Sequence, residues 1–508
     1  MLTQTIPEYF DKIALCLPGG GFRAAGFSLG ILSLLNDCGL LPRVNAISTV
    51  SGGTITGAKY AQMMADGKTF DEFYIQLYEW LKSDHLVADA LAVLKRPETF
   101  EYDSTTNKSK TVNLINAFAL QYIKFIPGTF GEVDKGLKER FDKEGRGLLN
   151  ICFNATDFEH GLAFRFRNDG RFGNHENSYA KPIQNRTHIG DIVAASSCFP
   201  GGFEPIIFPQ DFFPADTHKF ENVGLMDGGI IDNQGSSSFT TSPYEDKETE
   251  ELKYTCYLLA DAGNFRIEGY KPTKESFFIK LISWLFSFWT AGLLGLIVVI
   301  TSYYKEYNLL IFAVFLLVLS VLLQTLLQIG LNYAQKISGI NIPIKLPRRK
   351  LGLYIIDRVK SVLLLNSSIF LKGAKAANLN SLYDLAPMRT SKLSIYSLFH
   401  DKKNNKKPYW ENEPKWQDFI SLVNSIPQFI QDSSERSTKF KTTLWFKEES
   451  TQMLDSLILA GRSVACFSLI GHIIKNSESF ASAQDEPLLE ELVKLFKRLE
   501  PVIKNDQS

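Results

Sequence analysis

A chain that ends a β-branched run on a serine and two glycines, then enters a helix-compatible run, has few ways to fold. The stretch Val44–Tyr60 reads VNAISTVSGGTITGAKY. A serine on so sharp a strand-to-helix turn has its hydroxyl pushed out at the carboxyl end of a sheet. Small residues beside it let strand and helix nearly touch. The following helix points its free N–H groups at the same spot, which favours a developing negative charge. Taken alone, Ser51-Gly52-Gly53 is more simply a turn serine capping a helix.

Two further stretches change that reading. Ile13–Gly21 is IALCLPGGG and runs into Phe22-Arg23-Ala24-Ala25-Gly26, an apolar strand, three glycines, an arginine and a helical run. Val223–Asn233 is VGLMDGGIIDN, with Asp227 between an apolar stretch and two glycines. Ser51 can attack, Asp227 can take its proton, and the Gly19-Gly20-Gly21 backbone can offer N–H groups to an oxyanion.

Together and in this order, Gly19-Gly20-Gly21-Phe22-Arg23-Ala24, Thr49-Val50-Ser51-Gly52-Gly53 and Asp227-Gly228-Gly229 resemble the patatin-like phospholipase family. Ala194-Ala195-Ser196-Ser197-Cys198-Phe199-Pro200, with Phe203 and Pro205, resembles a fourth block of that family. The resemblance covers about Ile13 to Gly235. It implies an α/β fold, a three-layer sandwich around a mostly parallel sheet. It implies Ser51 as nucleophile, Asp227 as proton acceptor, and Gly19, Gly20, Gly21, Phe22 and Arg23 as the oxyanion loop. Thr49, Gly52, Gly53, Gly228 and Gly229 are then the residues that shape the elbow and the aspartate turn. Ala24 and Thr49 stand where the family carries glycine. Alanine is tolerated in a residue that is already helical, whereas the branched Thr49 predicts a slightly displaced elbow.

With 508 residues the chain has room for several domains and a large core. Its 55 acidic and 55 basic residues balance, so no overall field favours nucleic acid, and no nucleic-acid partner is expected. The six cysteines have no paired spacing and no histidine cluster nearby, which predicts reduced thiols, no metal and no cofactor. A Walker loop requires Gly-Lys-Ser/Thr where Phe22-Arg23-Ala24 stands. A dinucleotide fold requires an acidic residue where the second strand runs into Ser51.

In chain order, the pattern predicts a hydrolase core over 11–265. It contains a helix over Ala25–Asn36, a helical insertion over about 61–145, strands at Gly147–Thr156, Leu162–Arg167 and Tyr254–Ala260, and a helix over Ile189–Ser197. Within the insertion, Val112–Phe125 is apolar and aromatic and reads as a core helix, or as a lid over Ser51. Two uncharged segments follow, Leu281–Ile300 and Leu309–Leu331, each long enough to span about 30 Å of hydrocarbon. They predict a transmembrane helical hairpin over 277–332. Lys271, Lys274, Lys280, Lys336, Lys345, Arg348, Arg349 and Lys350 flank its outer ends, against one Lys and one Glu in the link. This predicts that the outer ends and the catalytic domain face the cytoplasm, in keeping with an N-terminus that lacks a secretory pattern. Residues 350–508 read as a mainly helical C-terminal region packing on the core, with helical runs over Leu351–Ala377, Gln452–Ile474 and Pro487–Val502 and a strand over Leu393–Phe399.

The expected reaction is acyl transfer from a membrane lipid ester to water through an acyl-Ser51 intermediate. Arg23 either shapes the loop or meets a phosphate head group. A Ser…Asp…His order would require His400 or His472 as a third member. Two other functions stay open at this level: a catalytically weak lipid-binding relative, and an esterase or thioesterase acting on a soluble acyl substrate.

Overall fold

A computed structural model describes residues 6–103, 108–212, 221–240, 253–263, 288–305, 307–338, 357, 360–361, 371–398, 426–446, 450–477 and 486–499. Residues 281–287 of the first uncharged segment, most of Leu351–Ala377 and His400 lie outside them. The chain divides into two units, Met1–Arg266 with Leu371–Ser508, and Ile267–Phe370.

The first unit is α/β around an eight-stranded, mostly parallel mixed sheet. Its strands are β1 (Ile13–Leu17), β2 (Val44–Val50), β3 (Asn150–Asp157), β4 (Leu162–Arg167), β5 (Ile206–Phe208), β6 (Val223–Asp227), β7 (Cys256–Asp261) and β8 (Thr390–Ser394). The order is β8-β7-β1-β2-β3-β6-β5, with β4 also on β3. Neighbours from β8 to β3 run parallel; β4 and β6 meet β3 antiparallel, and β5 meets β6 antiparallel. The strand expected at Leu393–Phe399 is centred earlier, because Thr390–Ser394 takes the parallel edge of β7 and the chain turns at Ile395.

β1 is buried at every position, as a strand covered on both faces must be. Its large residues Ile13, Leu15 and Leu17 join the main core. Ala14 and Cys16 face a smaller cluster with Ala46, Leu259 and Leu382. On the main-core side lie α1 (Gly21–Asp37), α2 (Gly52–Ala65) and, from the far end of the chain, α12 (Ser450–Asn476). Helix α1 starts at Gly21 rather than Ala25. Gly20 (φ 140°) and Gly21 (φ 58°) let the chain pass from strand to helix almost without a loop.

The insertion holds α3 (Phe70–Ser83), α4 (Leu86–Leu94), α5 (Leu114–Phe125) and α6 (Phe130–Glu144). Thr69 with Glu72 and Thr129 with Glu132 form reciprocal caps that fix the starts of α3 and α6. Helix α5, the candidate lid, is a core helix: Ile115, Phe118 and Tyr122 are buried and it packs on α7 (Ile189–Ser196).

The second unit contains α8 (Phe288–Tyr303) and α9 (Tyr307–Ser338), packed on each other. Their described apolar stretches, Gly292–Tyr303 and Tyr307–Leu319, are shorter than the spans expected from sequence. Among the described residues, the one helix long and apolar enough to cross a membrane is α12, and it is mostly buried. A Cβ at Gly30 would strike the main chain of Ile458, and one at Gly461 the carbonyl of Phe27, so α1 and α12 cross backbone to backbone. Helix α12 is therefore a core helix. The remaining helices of the first unit include α10 (Leu371–Leu385), α11 (Gln428–Lys439) and α13 (Pro487–Arg498).

Candidate active site

Strand register brings Ser51 and Asp227 together. Along one edge of β3, β2 pairs as far as Val50 opposite Asn154. At the next residue of β3, Ala155, the antiparallel partner is Asp227 of β6. Two strands running in opposite senses thus end head to head on consecutive residues of a third, and the last turn of each carries one of the two groups. The hydroxyl of Thr156 donates to the Asp227 carbonyl at 2.9 Å, and Asn154 Nδ2 donates to the Thr49 carbonyl at 2.9 Å, so both ends are fastened to β3.

Ser51 adopts φ 49°, ψ −119°, a conformation that a non-glycine residue holds only when its surroundings enforce it. Gly52 and Gly53 follow because nothing larger fits. A Cβ on Gly52 would strike the main chain of Gly21, and one on Gly53 would lie 2.5 Å from the Leu17 carbonyl oxygen. The branched Thr49 finds room because Gly57 lies opposite: a Cβ there would lie 2.5 Å from Thr49 Cγ2. Ala24 lies within α1, where alanine carries no backbone penalty.

Asp227 Oδ1 accepts the N–H of Gly229 at 2.7 Å. Burial pushes the Asp227 carboxyl up to about 6, against the Gly229 N–H and the Ser51 hydroxyl, whose hydrogen bonding pulls it down. Ser51 and Asp227 are each 7% exposed, so the pair is almost wholly withdrawn from solvent. Gly228 lies against the Asn154 carbonyl, which leaves no room for a side chain.

The glycine box is more occupied than its sequence suggests. Gly19 N–H donates to the Asn233 carbonyl at 2.9 Å, and Phe22 N–H donates to the Thr443 carbonyl at 2.8 Å. That removes Gly19 and Phe22 from the oxyanion donors expected above. Gly20 and Gly21 remain, their N–H groups without an acceptor among the described residues. Arg23 is buried and donates from Nη1 to the Phe440 carbonyl at 2.8 Å, so it fastens the segment Phe440–Phe446 over the loop. Burial pulls its guanidinium down to about 10 against the attraction of Asp261.

His472 does not complete a triad. It packs on Tyr9 and Phe10 and faces Cys256 Sγ at 3.8 Å, at the amino ends of β1 and β7 and thus the opposite edge of the sheet from Ser51. Burial pulls its imidazole down to about 4, so it is neutral. The six cysteines are unbridged and buried.

Sequence reading missed Tyr122, Thr54 and Asn154. Tyr122 lies near Ser197 and the charge of Asp227, and burial raises its hydroxyl pKa. Helical spacing marks it as a core residue and carries no sign of what it faces. Asn154, a polar residue inside an otherwise apolar strand, was the visible signal for the β3 edge.

Residues 15–235 match the family model described as Patatin-like phospholipase. The matched stretch is under half of the chain and includes Gly19–Arg23, Ser51, Ser196 and Asp227. No curated protein matches. Among solved structures, the crystal structure of VipD from Legionella pneumophila aligns over 98% of this chain and 92% of that chain, at 11% identity and a TM-score of 0.22. A score that low carries no argument about fold or function.

Proposed function

We propose that this chain is a lipid acyl hydrolase that works through Ser51 and Asp227. The observation that carries the reading is the meeting of a strained serine with a carboxylate whose pKa lies near 6, a base that is ionised at neutral pH yet strong enough to accept a proton. Ser51 Oγ attacks the ester carbonyl carbon as its proton passes to Asp227. The carbonyl oxygen, now negative, takes the N–H groups of Gly20 and Gly21. Collapse expels the alcohol, which takes the proton from Asp227. Water then attacks the acyl-serine with Asp227 again as base, releasing the fatty acid and restoring Ser51.

Membrane lipid is the substrate class in this reading, and the chain is held at a bilayer with its catalytic domain on the cytoplasmic side. Outward apolar residues of α8 and α9, among them Leu296, Val299, Ile311, Phe312 and Phe315, support contact with hydrocarbon. A second reading, a weakly active lipid-binding relative, draws on the capture of the Phe22 N–H by Thr443, which leaves the oxyanion fewer donors.

Fluorophosphonate labelling of the purified chain in detergent tests the reading. Labelling of wild type that is lost in Ser51→Ala supports a serine hydrolase. A folded wild type that resists the probe favours the lipid-binding alternative.

A further inference from the structure

Behind Ser51 lies a buried chain of hydroxyl groups whose direction can be worked out. Thr49 Oγ1 and Thr54 Oγ1 are 2.9 Å apart, and Thr54 Oγ1 and Ser196 Oγ are 2.8 Å apart. Distances alone leave donor and acceptor open. Ser196 Oγ also lies 2.6 Å from the Asn154 carbonyl oxygen, which can only accept. The single Ser196 proton is therefore committed to Asn154. Ser196 must accept from Thr54, and Thr54 must accept from Thr49. The other Ser196 lone pair receives the backbone N–H of Ser51 at 3.0 Å. Donation to Asn154 makes the Ser196 oxygen a better acceptor, and donation from Thr54 fixes how that hydroxyl is turned, so its remaining lone pair is held toward the Ser51 N–H.

Ser196 also touches the other half of the site. Its carbonyl accepts the N–H of Gly228 at 3.4 Å, and two residues on, the Cys198 carbonyl accepts the N–H of Asp227 at 2.9 Å. The carboxyl end of α7 thus grips the serine elbow with a side chain and the aspartate turn with main chain.

Resting on the hydrolase reading above, we propose that Ser196, fed by Thr54 and Thr49, is a positioning residue that sets Ser51 Oγ against Asp227. The chain gives Thr49 a role that glycine cannot fill: its hydroxyl heads the relay, while its methyl occupies the room left by Gly57. None of the three side chains is assigned contact with substrate.

The decisive comparison is Thr54→Val, which keeps shape and removes the hydroxyl, against Thr54→Ser, which keeps the hydroxyl. Both are made in the full chain, with Ser196→Ala beside them. A water-soluble p-nitrophenyl ester gives kcat and KM, fluorophosphonate gives the nucleophile's reactivity, and amide exchange of the peptide spanning Ser51 gives its backbone protection. In Thr54→Val and Ser196→Ala, kcat and labelling should fall about 10- to 100-fold with KM within about twofold, as expected for a misplaced nucleophile. Thr54→Ser should stay within about threefold of wild type, and of the two Thr54 variants only Thr54→Val should speed exchange of the elbow. A folded Thr54→Val labelled at the wild-type rate, or equal losses in Thr54→Val and Thr54→Ser, overturns the proposal. Should wild type itself resist the probe, the hydrolase reading fails and exchange still decides: faster exchange in Thr54→Val but not Thr54→Ser supports the relay as what holds Ser51, and equal rates sink it.

Discussion

Asp227 and Asp261 are built alike and end differently. Each is the last residue of its strand, each is buried, and each accepts through Oδ1 the N–H of a glycine two residues on, Gly229 at 2.7 Å and Gly263 at 2.9 Å. Burial acts to raise both. Around Asp227 no cation among the described residues opposes it, and the carboxyl rises to about 6. Around Asp261, Lys375 at 2.5 Å and Lys392 at 3.1 Å outweigh burial and hold the carboxyl below its ordinary value. One local motif thus yields a titratable base in one place and a fixed anion in another. The neighbours, both from beyond Leu371 in the case of Asp261, decide which.

Asp227→Asn should have the largest effect. Loss of the base lowers kcat/KM at pH 8 by about 10²- to 10⁴-fold, and wild-type activity should itself fall as pH drops through about 6. The stability effect has the opposite sign. Because the folded pKa lies above the unfolded value, ionised Asp227 weakens the fold at neutral pH, by about 3 kcal/mol for a shift of about two units. Denaturant unfolding should show the Asp227→Asn variant more stable than wild type at pH 8 and level with it at pH 4; an equal difference at both would break the contrast.

Asp261→Asn should do the reverse, leaving Lys375 and Lys392 without their counter-ion at a loss of about 3–5 kcal/mol near pH 7. The folded pKa of Asp261 is depressed, so its contribution is present above the unfolded value and lost as pH falls through the folded one. The gap between wild type and variant should therefore close on acidification. Lys392→Met should be mildest, about 1 kcal/mol, because Lys375 remains and Lys392 is partly exposed. Its acid unfolding midpoint should move up, and an unchanged midpoint would remove Lys392 from the account.

These two aspartates also mark how far sequence reading reaches. Ser51, Asp227 and the glycine box stand out through three motifs that together resemble one family, and the glycines in them are explained by close backbone approach. β1, β2, β3, β4 and β7 are legible as apolar or alternating runs, the short β5 is not, and the helix over Ile189–Ser197 lies within one residue of the observed α7. What was not legible is what depends on distant pairing. That Gly19 and Phe22 spend their N–H groups on Asn233 and Thr443 has no trace in the box itself. The strand carrying Lys392 begins before the apolar run that predicts it, because Thr390, Ser391 and Lys392 are polar and Lys392 pairs with Asp261. The buried α12 and the outward-facing α8 and α9 show the same limit, since hydropathy records that a helix is apolar and not what covers it.

The clamp on the glycine box has a consequence for the order in which this protein becomes what it is. Arg23 reaches Phe440 across 417 positions of sequence, and Phe22 reaches Thr443 beside it. During synthesis the serine, the aspartate and the glycines leave the ribosome long before their clamp does. A growing or truncated chain that stops short of Thr443 lacks the contacts that hold the glycine box in this form, so the loop takes its final shape only after that segment has been made.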